Sequence, residues 1–270
     1  MTIRFDGRVA IVTGAGVGLG RSHALGLAER GATVVVNDLG VATDGSAAGS
    51  PAAQAVVEEI RAMGGTAMAN GADVTDAEAV QAMVDEAIVE FGQVDILVNN
   101  AGILRDKSFT KMELTDFQKV VDVHLLGSVN CTKAVWDHMN AREYGRIVMT
   151  TSGSGMYGNF GQSNYGAAKA GVVGFMNVLA QFAETKITET PGVALVGDDL
   201  TADGVWEALD QIRNPEGATE MAGAFDQTKK YVDMTGKGQE TCVTPLSYPP
   251  RGPRLAKPIA ARSTTPMRRS

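Results

Sequence analysis

The sequence predicts an α/β protein with a doubly wound parallel sheet. Two observations predict it: short apolar, β-branched runs alternate with longer helical patterns, and a glycine-rich turn joins the first run to the first helix. This alternation is typical of parallel sheets with right-handed crossovers. With 270 residues and 44% hydrophobic composition, the chain can bury one sizeable core plus an appendage.

The first predicted unit is a buried strand at residues 9–13, a glycine-rich turn, and a helix at 21–30 that Gly31 ends. Glycines let a backbone approach a ligand closely, and the N–H groups at the start of a helix favour phosphate. The turn therefore predicts a site for the pyrophosphate of a dinucleotide, and a turn without a ligand is the alternative. The predicted loop residues are Gly14, Gly18, Leu19 and Gly20.

The second predicted strand, at residues 33–36, ends in Asn37 and Asp38. In a dinucleotide-binding fold this strand end faces the adenosine ribose, where a carboxylate accepts from the ribose hydroxyls and repels a 2′-phosphate. No lysine or arginine occurs at 14–20 or 34–40, so the sequence predicts NAD over NADP as the cofactor. The alternative is that Asp38 is an ordinary turn residue.

The remaining elements continue the alternation of apolar strands and helical patterns. Gly64, Gly65 and Gly92 end the helices that precede strands. Further strands are predicted at residues 66–70, 94–98 and 146–151. Further helices are predicted at residues 51–63, 77–91, 115–139 and 164–183.

Tyr165 and Lys169 stand four residues apart at the start of the last of these helices, so both side chains leave the same helix face. A phenol has an ordinary pKa of about 10, and a nearby ammonium lowers this pKa because it stabilises the phenolate. The pair therefore predicts a proton donor and acceptor that works near neutral pH. Ser152, which follows the strand at 146–151, has a hydroxyl that can hold a carbonyl oxygen beside the phenol.

Five ordered motifs give the chain a resemblance to the short-chain dehydrogenase/reductase family, whose fold is Rossmann-like. The resemblance covers about residues 5–181. The motifs are Thr13-Gly14-x-x-x-Gly18-x-Gly20, Asp73-Val74, Asn99-Asn100-Ala101-Gly102, Ser152 and Tyr165-x-x-x-Lys169. The stretches at 102–106, 123–128, 144–150 and 157–162 are similar to the (3R)-hydroxyacyl-CoA dehydrogenase part of the multifunctional β-oxidation enzyme and to its bacterial relatives.

The resemblance implies oxidation of a 3-hydroxyacyl thioester to a 3-oxoacyl thioester, with the cofactor carrying the hydride. It implies that Asp38 holds the adenosine ribose and that Asn100 lies near the nicotinamide-side ribose. Asp73 and Val74 are implied to flank the adenine.

For catalysis, the resemblance implies that Tyr165 is the general acid or base and that Ser152 positions the substrate oxygen. Lys169 is implied to lower the pKa of Tyr165 and to bind the nicotinamide ribose. Ser154 is a second candidate serine, but it lies eleven residues before Tyr165 and Ser152 lies thirteen. His124 matches a position where the family usually has an asparagine that organises a relay water; the alternative is a partly buried histidine that makes one backbone hydrogen bond.

The C-terminal third departs from the family pattern. The pair Pro191-Gly192 comes before the apolar run 193–196 and does not follow a sixth strand. Strands six and seven are therefore predicted to be missing or replaced, through an internal deletion near residues 181–186, and a degraded sixth strand at 186–190 is the alternative. The loss would leave the fifth strand at an exposed sheet edge unless 193–196 refill the gap.

The predicted organisation has three parts: an NAD-binding Rossmann-like catalytic domain at residues 1–184, an atypical segment at 185–236, and a basic tail at 237–270. The tail holds six of the nine prolines and seven basic residues against one acid, a composition typical of disorder. A basic arm for phosphate groups is the alternative for the tail. Because the whole chain has a net charge of −7, the sequence argues against a nucleic-acid-binding protein.

Other patterns limit the location and the partners. The two cysteines suggest no disulfide framework, the three histidines lack metal-ligand spacing, and no run approaches the roughly 18 apolar residues of a membrane span. The sequence has no signal peptide pattern and no peroxisomal address at 268–270. We therefore expect a cytoplasmic protein with a small-molecule substrate and no metal, nucleic acid or membrane partner, and the resemblance implies a homodimer or homotetramer.

Three functions stay open at the level of the sequence. The first is an NAD-dependent dehydrogenase for a 3-hydroxyacyl thioester or a related secondary alcohol. The second is a carrier-protein-linked 3-oxoacyl reductase, which Asp38 disfavours because such enzymes usually use NADPH. The third is a nucleotide-binding protein with little or no activity, which keeps the cofactor loop but lacks a closed substrate pocket.

Overall fold

The fold is taken from a computed structural model, which describes residues 4–40, 52–185 and 192–197. Ahead of the first strand, the Phe5 N–H donates to the carbonyl oxygen of Arg30 at 2.8 Å, and Arg4 pairs with Asp6 at 2.6 Å.

Parallel strands form the centre of the molecule. The six strands of the described residues lie in the order β3-β2-β1-β4-β5-β6, and all neighbours are parallel. The strands are β1 (Val9–Thr13), β2 (Thr33–Asn37), β3 (Ala67–Asn70), β4 (Ile96–Asn99), β5 (Arg146–Thr151) and β6 (Gly192–Gly197). The predicted α/β class and parallel sheet are confirmed.

Helices connect these strands, and one of them, the short helix at Gly153–Tyr157, was not predicted. They are α1 (Gly18–Glu29), α2 (Ala52–Ala62), α3 (Ala77–Phe91), α4 (Leu114–Val121), α5 (Gly127–Ala141), α6 (Gly153–Tyr157) and α7 (Ser163–Thr185). The helix expected at 115–139 is present as one continuous helical run, in which a π-turn at Asp122–Leu126 that the sequence did not predict joins α4 to α5. In this turn the Gly127 N–H reaches back to the carbonyl oxygen of Asp122, five residues earlier, so one extra residue is accommodated.

Strands β1, β2, β4 and β5 are buried on both faces, which explains why they are almost continuously apolar. Val12, Leu27 and Ile60 belong to the cluster on the side of α1 and α2. Ile11 lies in the opposite cluster, which α3, α5 and α7 cover. Cys131 is buried in that second cluster, and burial raises the pKa of its thiol to about 12.

Strand β6 shows that the fifth strand is not a sheet edge, because residues 193–196 refill the gap, which is one of the two outcomes that the sequence left open. Residues 146–151 of β5 pair in parallel with residues 192–197, from Arg146↔Gly192 to Thr151↔Gly197. The apolar run at 193–196 therefore occupies the sixth position of the sheet. The described residues contain no seventh strand.

Several predictions fall outside the described residues. These are the degraded strand at 186–190, most of the segment at 185–236, and the basic tail at 237–270 with Cys242. Among the residues that the structure does describe, no helix has both the length and the apolar character needed to cross a membrane.

Candidate active site

The predicted site residues gather where the strands end. Gly14 follows β1, Asn100 follows β4 and Ser152 follows β5, and these three strands are neighbours in the sheet. The carboxyl ends of parallel strands share one edge, and the chain order of the sheet reverses between β1 and β4. Such a reversal opens a crevice in which doubly wound proteins bind ligands.

Thr13 and Asn100 join the loop after β1 to the end of β4. The Thr13 hydroxyl oxygen accepts from the backbone N–H groups of Asn100 (3.1 Å) and Ala101 (3.0 Å). The Asn100 side-chain amide donates to the carbonyl oxygens of Thr13 (2.9 Å) and Gly14 (3.0 Å). Asn100 therefore supports the glycine loop directly. Thr13 belongs to the glycine-loop motif, but the sequence alone does not indicate that its hydroxyl braces the loop.

The glycine loop fits a pyrophosphate group. Gly14 and Gly18 have φ angles of 61° and 56°, which favour glycine, and a Cβ on Gly20 would collide with the carbonyl of Gly14. No side chain caps the start of α1, where Val17 is the N-cap residue, so a phosphate has access to its first N–H groups. Leu19, 36% exposed, lies in this first turn.

Asp38 links the end of β2 to the glycine loop. One carboxylate oxygen accepts from the Gly16 N–H and the other from the Gly40 N–H, both at 2.8 Å. The basic residue directly after the glycine loop, Arg21, is paired with Glu59 of α2. The carboxylate is therefore held at the loop, while the Arg21 guanidinium is bound to a different carboxylate.

Asp73 and Val74 lie after β3, at the same edge of the sheet. One oxygen of Asp73 accepts from both the N–H and the hydroxyl of Thr75, each at 2.8 Å. The carbonyl oxygen of Val74 accepts from the Asn130 side chain at 3.0 Å, and the Val74 side chain is buried against Gly127 of α5. These bonds fix the segment between β3 and α3.

Tyr165 and Lys169 are brought together in the core of the crevice. Their exposed fractions are 6% and 3%, and the Lys169 Nζ lies 5.5 Å from the centroid of the Tyr165 ring. The same Nζ donates to the carbonyl oxygen of Thr150 at 2.7 Å, and the Thr151 hydroxyl donates to the Lys169 carbonyl oxygen at 3.2 Å. The start of α7 is therefore fastened to the end of β5.

Ser152 lies directly before α6 and is 7% exposed. Its hydroxyl oxygen accepts from the Ser154 N–H at 3.2 Å, which leaves the hydroxyl hydrogen available for a substrate oxygen. The Ser154 hydroxyl instead donates to Gln162 at 2.7 Å. This geometry favours Ser152 over Ser154 as the serine that contacts a substrate.

Asn164 is a supporting residue that sequence reasoning missed. It is fully buried. Its amide donates to the carbonyl oxygen of Arg105 at 3.0 Å, and its side-chain oxygen accepts from the Tyr165 N–H at 2.8 Å. Asn164 therefore ties the first turn of α7 to the segment after β4, and only its position beside Tyr165 hinted at such a role.

His124 lies in the π-turn and packs against Tyr165. The two ring centroids are 5.1 Å apart and the ring planes meet at 85°. His124 Nε2 lies 2.8 Å from the carbonyl oxygen and 3.1 Å from the backbone nitrogen of Ile103. Burial, and then the charge of Lys169, lower the pKa of His124 to about 3, so its imidazole is neutral at physiological pH. The expected backbone hydrogen bond is present, and the ring is more deeply buried than expected.

Comparisons with known proteins agree with this arrangement. The chain is 56% identical over 178 residues to the mouse peroxisomal multifunctional enzyme type 2, covering 66% of the chain and 24% of that protein. It is 44% identical over 196 residues to a Synechocystis 3-oxoacyl-[acyl-carrier-protein] reductase, covering 72% of the chain and 76% of the reductase. The chain thus spans about a quarter of the length of the mouse relative.

A solved structure is similar over the same region. A 7α-hydroxysteroid dehydrogenase in complex with NADH and 7-oxo glycochenodeoxycholic acid matches with a TM-score of 0.62 and 32% identity, covering 72% of this chain and 70% of that one. The family model described as short chain dehydrogenase matches residues 8–190. This match covers two thirds of the sequence, and it agrees with the glycine loop braced by Asn100 and the Tyr165–Lys169 pair beside Ser152. The chain therefore belongs to the short chain dehydrogenase family.

Proposed function

We propose that the protein is an NAD-dependent dehydrogenase that oxidises a 3-hydroxyacyl thioester to the 3-oxoacyl thioester. The observation that carries this proposal is the buried pair of Tyr165 and Lys169 beside Ser152, at the strand edge that also holds the glycine loop. The thioester substrate is supported by the similarity to the mouse peroxisomal multifunctional enzyme type 2.

Several groups of this chain would hold the cofactor, among them Lys169 at the nicotinamide ribose. The glycine loop would receive the pyrophosphate at the start of α1, and Asp38 would accept from the adenosine ribose. Asp73 and Val74 would lie beside the adenine. When bound, NAD supplies the acceptor for the hydride that leaves the carbinol carbon.

Tyr165 would remove the proton from the substrate hydroxyl. The Lys169 ammonium is 5.5 Å from the phenol ring, and a cation at this position favours the phenolate because opposite charges attract. Ser152 would donate its hydroxyl hydrogen to the substrate oxygen and so fix the distance to Tyr165. As the proton leaves, the C–O bond becomes a carbonyl and the phenol is re-formed.

Asp38 supports NAD as the cofactor. Its carboxylate is held by two backbone N–H groups, so it cannot swing away from an approaching 2′-phosphate without losing both hydrogen bonds. Arg21 is engaged by Glu59, which keeps the guanidinium from neutralising that phosphate.

Purified protein tests the proposal directly. NADH formation is measured with 3-hydroxyacyl-CoA substrates of several chain lengths, in parallel with NADP. Turnover with NAD and little with NADP is the expected result. NAD binding without turnover of any thioester would contradict the proposal and favour a nucleotide-binding protein.

A 3-oxoacyl-carrier-protein reductase is the second candidate, favoured by the 44% identity to the Synechocystis enzyme. It predicts faster oxidation of NADPH than of NADH when 3-oxoacyl thioesters are supplied. The same assay in the reverse direction separates the two candidates, because only the reductase requires the phosphate-bearing cofactor.

A cytoplasmic location and a homodimeric or homotetrameric state stay predictions from the sequence. Cell fractionation tests the first, and sedimentation equilibrium of the purified chain tests the second. A monomer at micromolar concentration would contradict self-association.

A further inference from the structure

We propose that His124 is a positioning residue that fixes the orientation of the Tyr165 ring through direct ring contact. This inference rests on the proposed function, since Tyr165 is the proton acceptor in that reaction. The two rings are nearly perpendicular, at 85°, with centroids 5.1 Å apart. Edge-to-face contact is one of the arrangements that aromatic rings prefer over a face-to-face sandwich.

The imidazole packs on the backbone of Gly102 and Ile103, and Ser128 holds the His124 backbone. Its Nε2 lies on the backbone of Ile103, 2.8 Å from the carbonyl oxygen and 3.1 Å from the nitrogen. A Cβ on Gly102 would collide with the imidazole, lying 3.0 Å from Nδ1, so the ring packs directly on that backbone. The Ser128 hydroxyl donates to the His124 carbonyl oxygen at 2.7 Å. A ring confined in this way is a rigid wall for its neighbour.

The same short segment after β4 holds Tyr165 from a second direction. Ile103 anchors His124, and Arg105 anchors Asn164, whose side-chain oxygen accepts from the Tyr165 N–H at 2.8 Å. One segment therefore fixes the ring of Tyr165 through His124 and its backbone through Asn164. His124 and Asn164 are buried, with exposed fractions of 5% and 0%.

The alternative role for His124 is proton transfer through its second ring nitrogen, Nδ1. Nδ1 is buried and has no hydrogen-bond partner among the described residues. A role in carrying protons would need this nitrogen, whereas a positioning role needs only the ring. A ring without nitrogens can therefore replace His124 in a positioning role but not in proton transfer.

Substitutions with and without a ring test the proposal. His124→Ala removes the wall, and we expect kcat to fall about tenfold or more while the dissociation constant for NAD stays within about twofold, since misplacement of a reacting group lowers rate more than binding. His124→Phe keeps an aromatic edge, so its kcat is expected to recover most of that loss. Equal losses in the Phe and Ala variants would overturn the proposal, as would an Ala variant with wild-type kcat.

His138 provides the matched control. Its Nε2 accepts from the Val94 N–H at 3.2 Å, at the opposite end of β4 from the site. His138→Ala and His138→Phe remove a similar bond to backbone without touching Tyr165, and both are expected to keep wild-type kcat. Circular dichroism of all four variants identifies any that fail to fold.

A readout without substrate separates this proposal from the proposed function. Tyr165 is followed by NMR in protein labelled with 13C-tyrosine, and Tyr165→Phe assigns its signals. Flips of the Tyr165 ring are expected to be slow in the wild type and in His124→Phe, and fast in His124→Ala. Fast flips of Tyr165 in the wild type would overturn the positioning role even if the enzyme is active. Slow flips in a protein that turns over no thioester would contradict only the proposed function.

Discussion

Individual side chains at the carboxyl ends of the strands have different roles, and substitutions that change a single atom can test each role. Tyr165→Phe deletes only the phenolic oxygen, and we expect kcat to fall by about a thousandfold or more, because general acid–base groups typically contribute factors of this size. NAD affinity should change little, since the ring and its packing against His124 remain. Steady-state kinetics and NAD titration of the same preparation measure both quantities.

Tyr144→Phe is the control for this loss. The Tyr144 ring lies between the guanidinium groups of Arg8, at 3.5 Å, and Arg146, at 4.7 Å. It is close to the amino end of β5 and so away from the site. Its kcat should equal that of the wild type; substantial activity left in Tyr165→Phe would refute the assignment of Tyr165.

Removal of the charge on Asp38 should shift the cofactor preference. Asp38→Asn keeps the shape and one acceptor oxygen for the backbone N–H of Gly16 or Gly40, but it no longer repels a 2′-phosphate. We expect the ratio of kcat/KM for NAD to that for NADP to fall about tenfold, which equals about 1.4 kcal/mol. Asp85→Asn, on the exposed face of α3, is the control and should leave the ratio unchanged. An unchanged ratio in Asp38→Asn would show that this carboxylate does not select the cofactor.

At the scale of elements, the hydroxyl of Thr13 connects two strands. Thr13→Val keeps the volume but leaves the N–H groups of Asn100 and Ala101 without their acceptor. Each unsatisfied buried donor costs about 1–3 kcal/mol, so we expect the free energy of unfolding to fall by roughly 2 kcal/mol or more. Urea denaturation measures this loss. Thr110→Val, at an exposed position, should change stability by less than about 0.5 kcal/mol.

Sequence patterns anticipated the elements whose signals are local. The apolar runs of β1, β2, β4 and β5 are buried on both faces and therefore read as strands. The π-turn at Asp122–Leu126 was missed, because an apolar period near 3.6 continues through it. Whether the run at 193–196 would replace the sixth strand stayed open, because its pairing with β5 is a long-range property that the order of the motifs does not reveal.

The candidate site was anticipated in the same uneven way. The roles expected for Tyr165, Lys169 and Ser152 depend on motif spacing, and the structure does gather these residues. The buried contacts of Asn164 and His124 depend on the fold of the segment after β4. No spacing rule encodes such contacts, so they emerged only from the three-dimensional arrangement.

For the whole molecule, buried neutral histidines predict loss of stability in mild acid. Burial lowers the pKa of His23 to about 4 and, with Lys169, that of His124 to about 3. In the unfolded chain both keep a pKa of about 6.5 and bind protons below it, so acid favours the unfolded state. The free energy of unfolding should therefore fall as pH drops from about 6.5 towards 3, by at most roughly 2 kcal/mol per histidine at pH 5.

Urea titrations at about pH 7 and pH 5 check this loss. Carboxylates with lowered pKa values, such as Asp116 beside Lys107 and Arg105, lose their contribution only at lower pH. The window above pH 5 thus isolates the histidines. His23→Leu should weaken the dependence, and equal stability of the wild type at both pH values would contradict the prediction.

The segment ahead of β1 lies at the amino ends of the strands, where Phe5 is bonded to Arg30, while the crevice lies at their carboxyl ends. A biosensor made by coupling the protein to an electrode through the exposed face around Arg4 and Asp6 would therefore present the crevice to the solution. Attachment at Gly197 itself, which pairs with Thr151 beside Ser152, would lie at the rim of the crevice and hinder the entry of substrate.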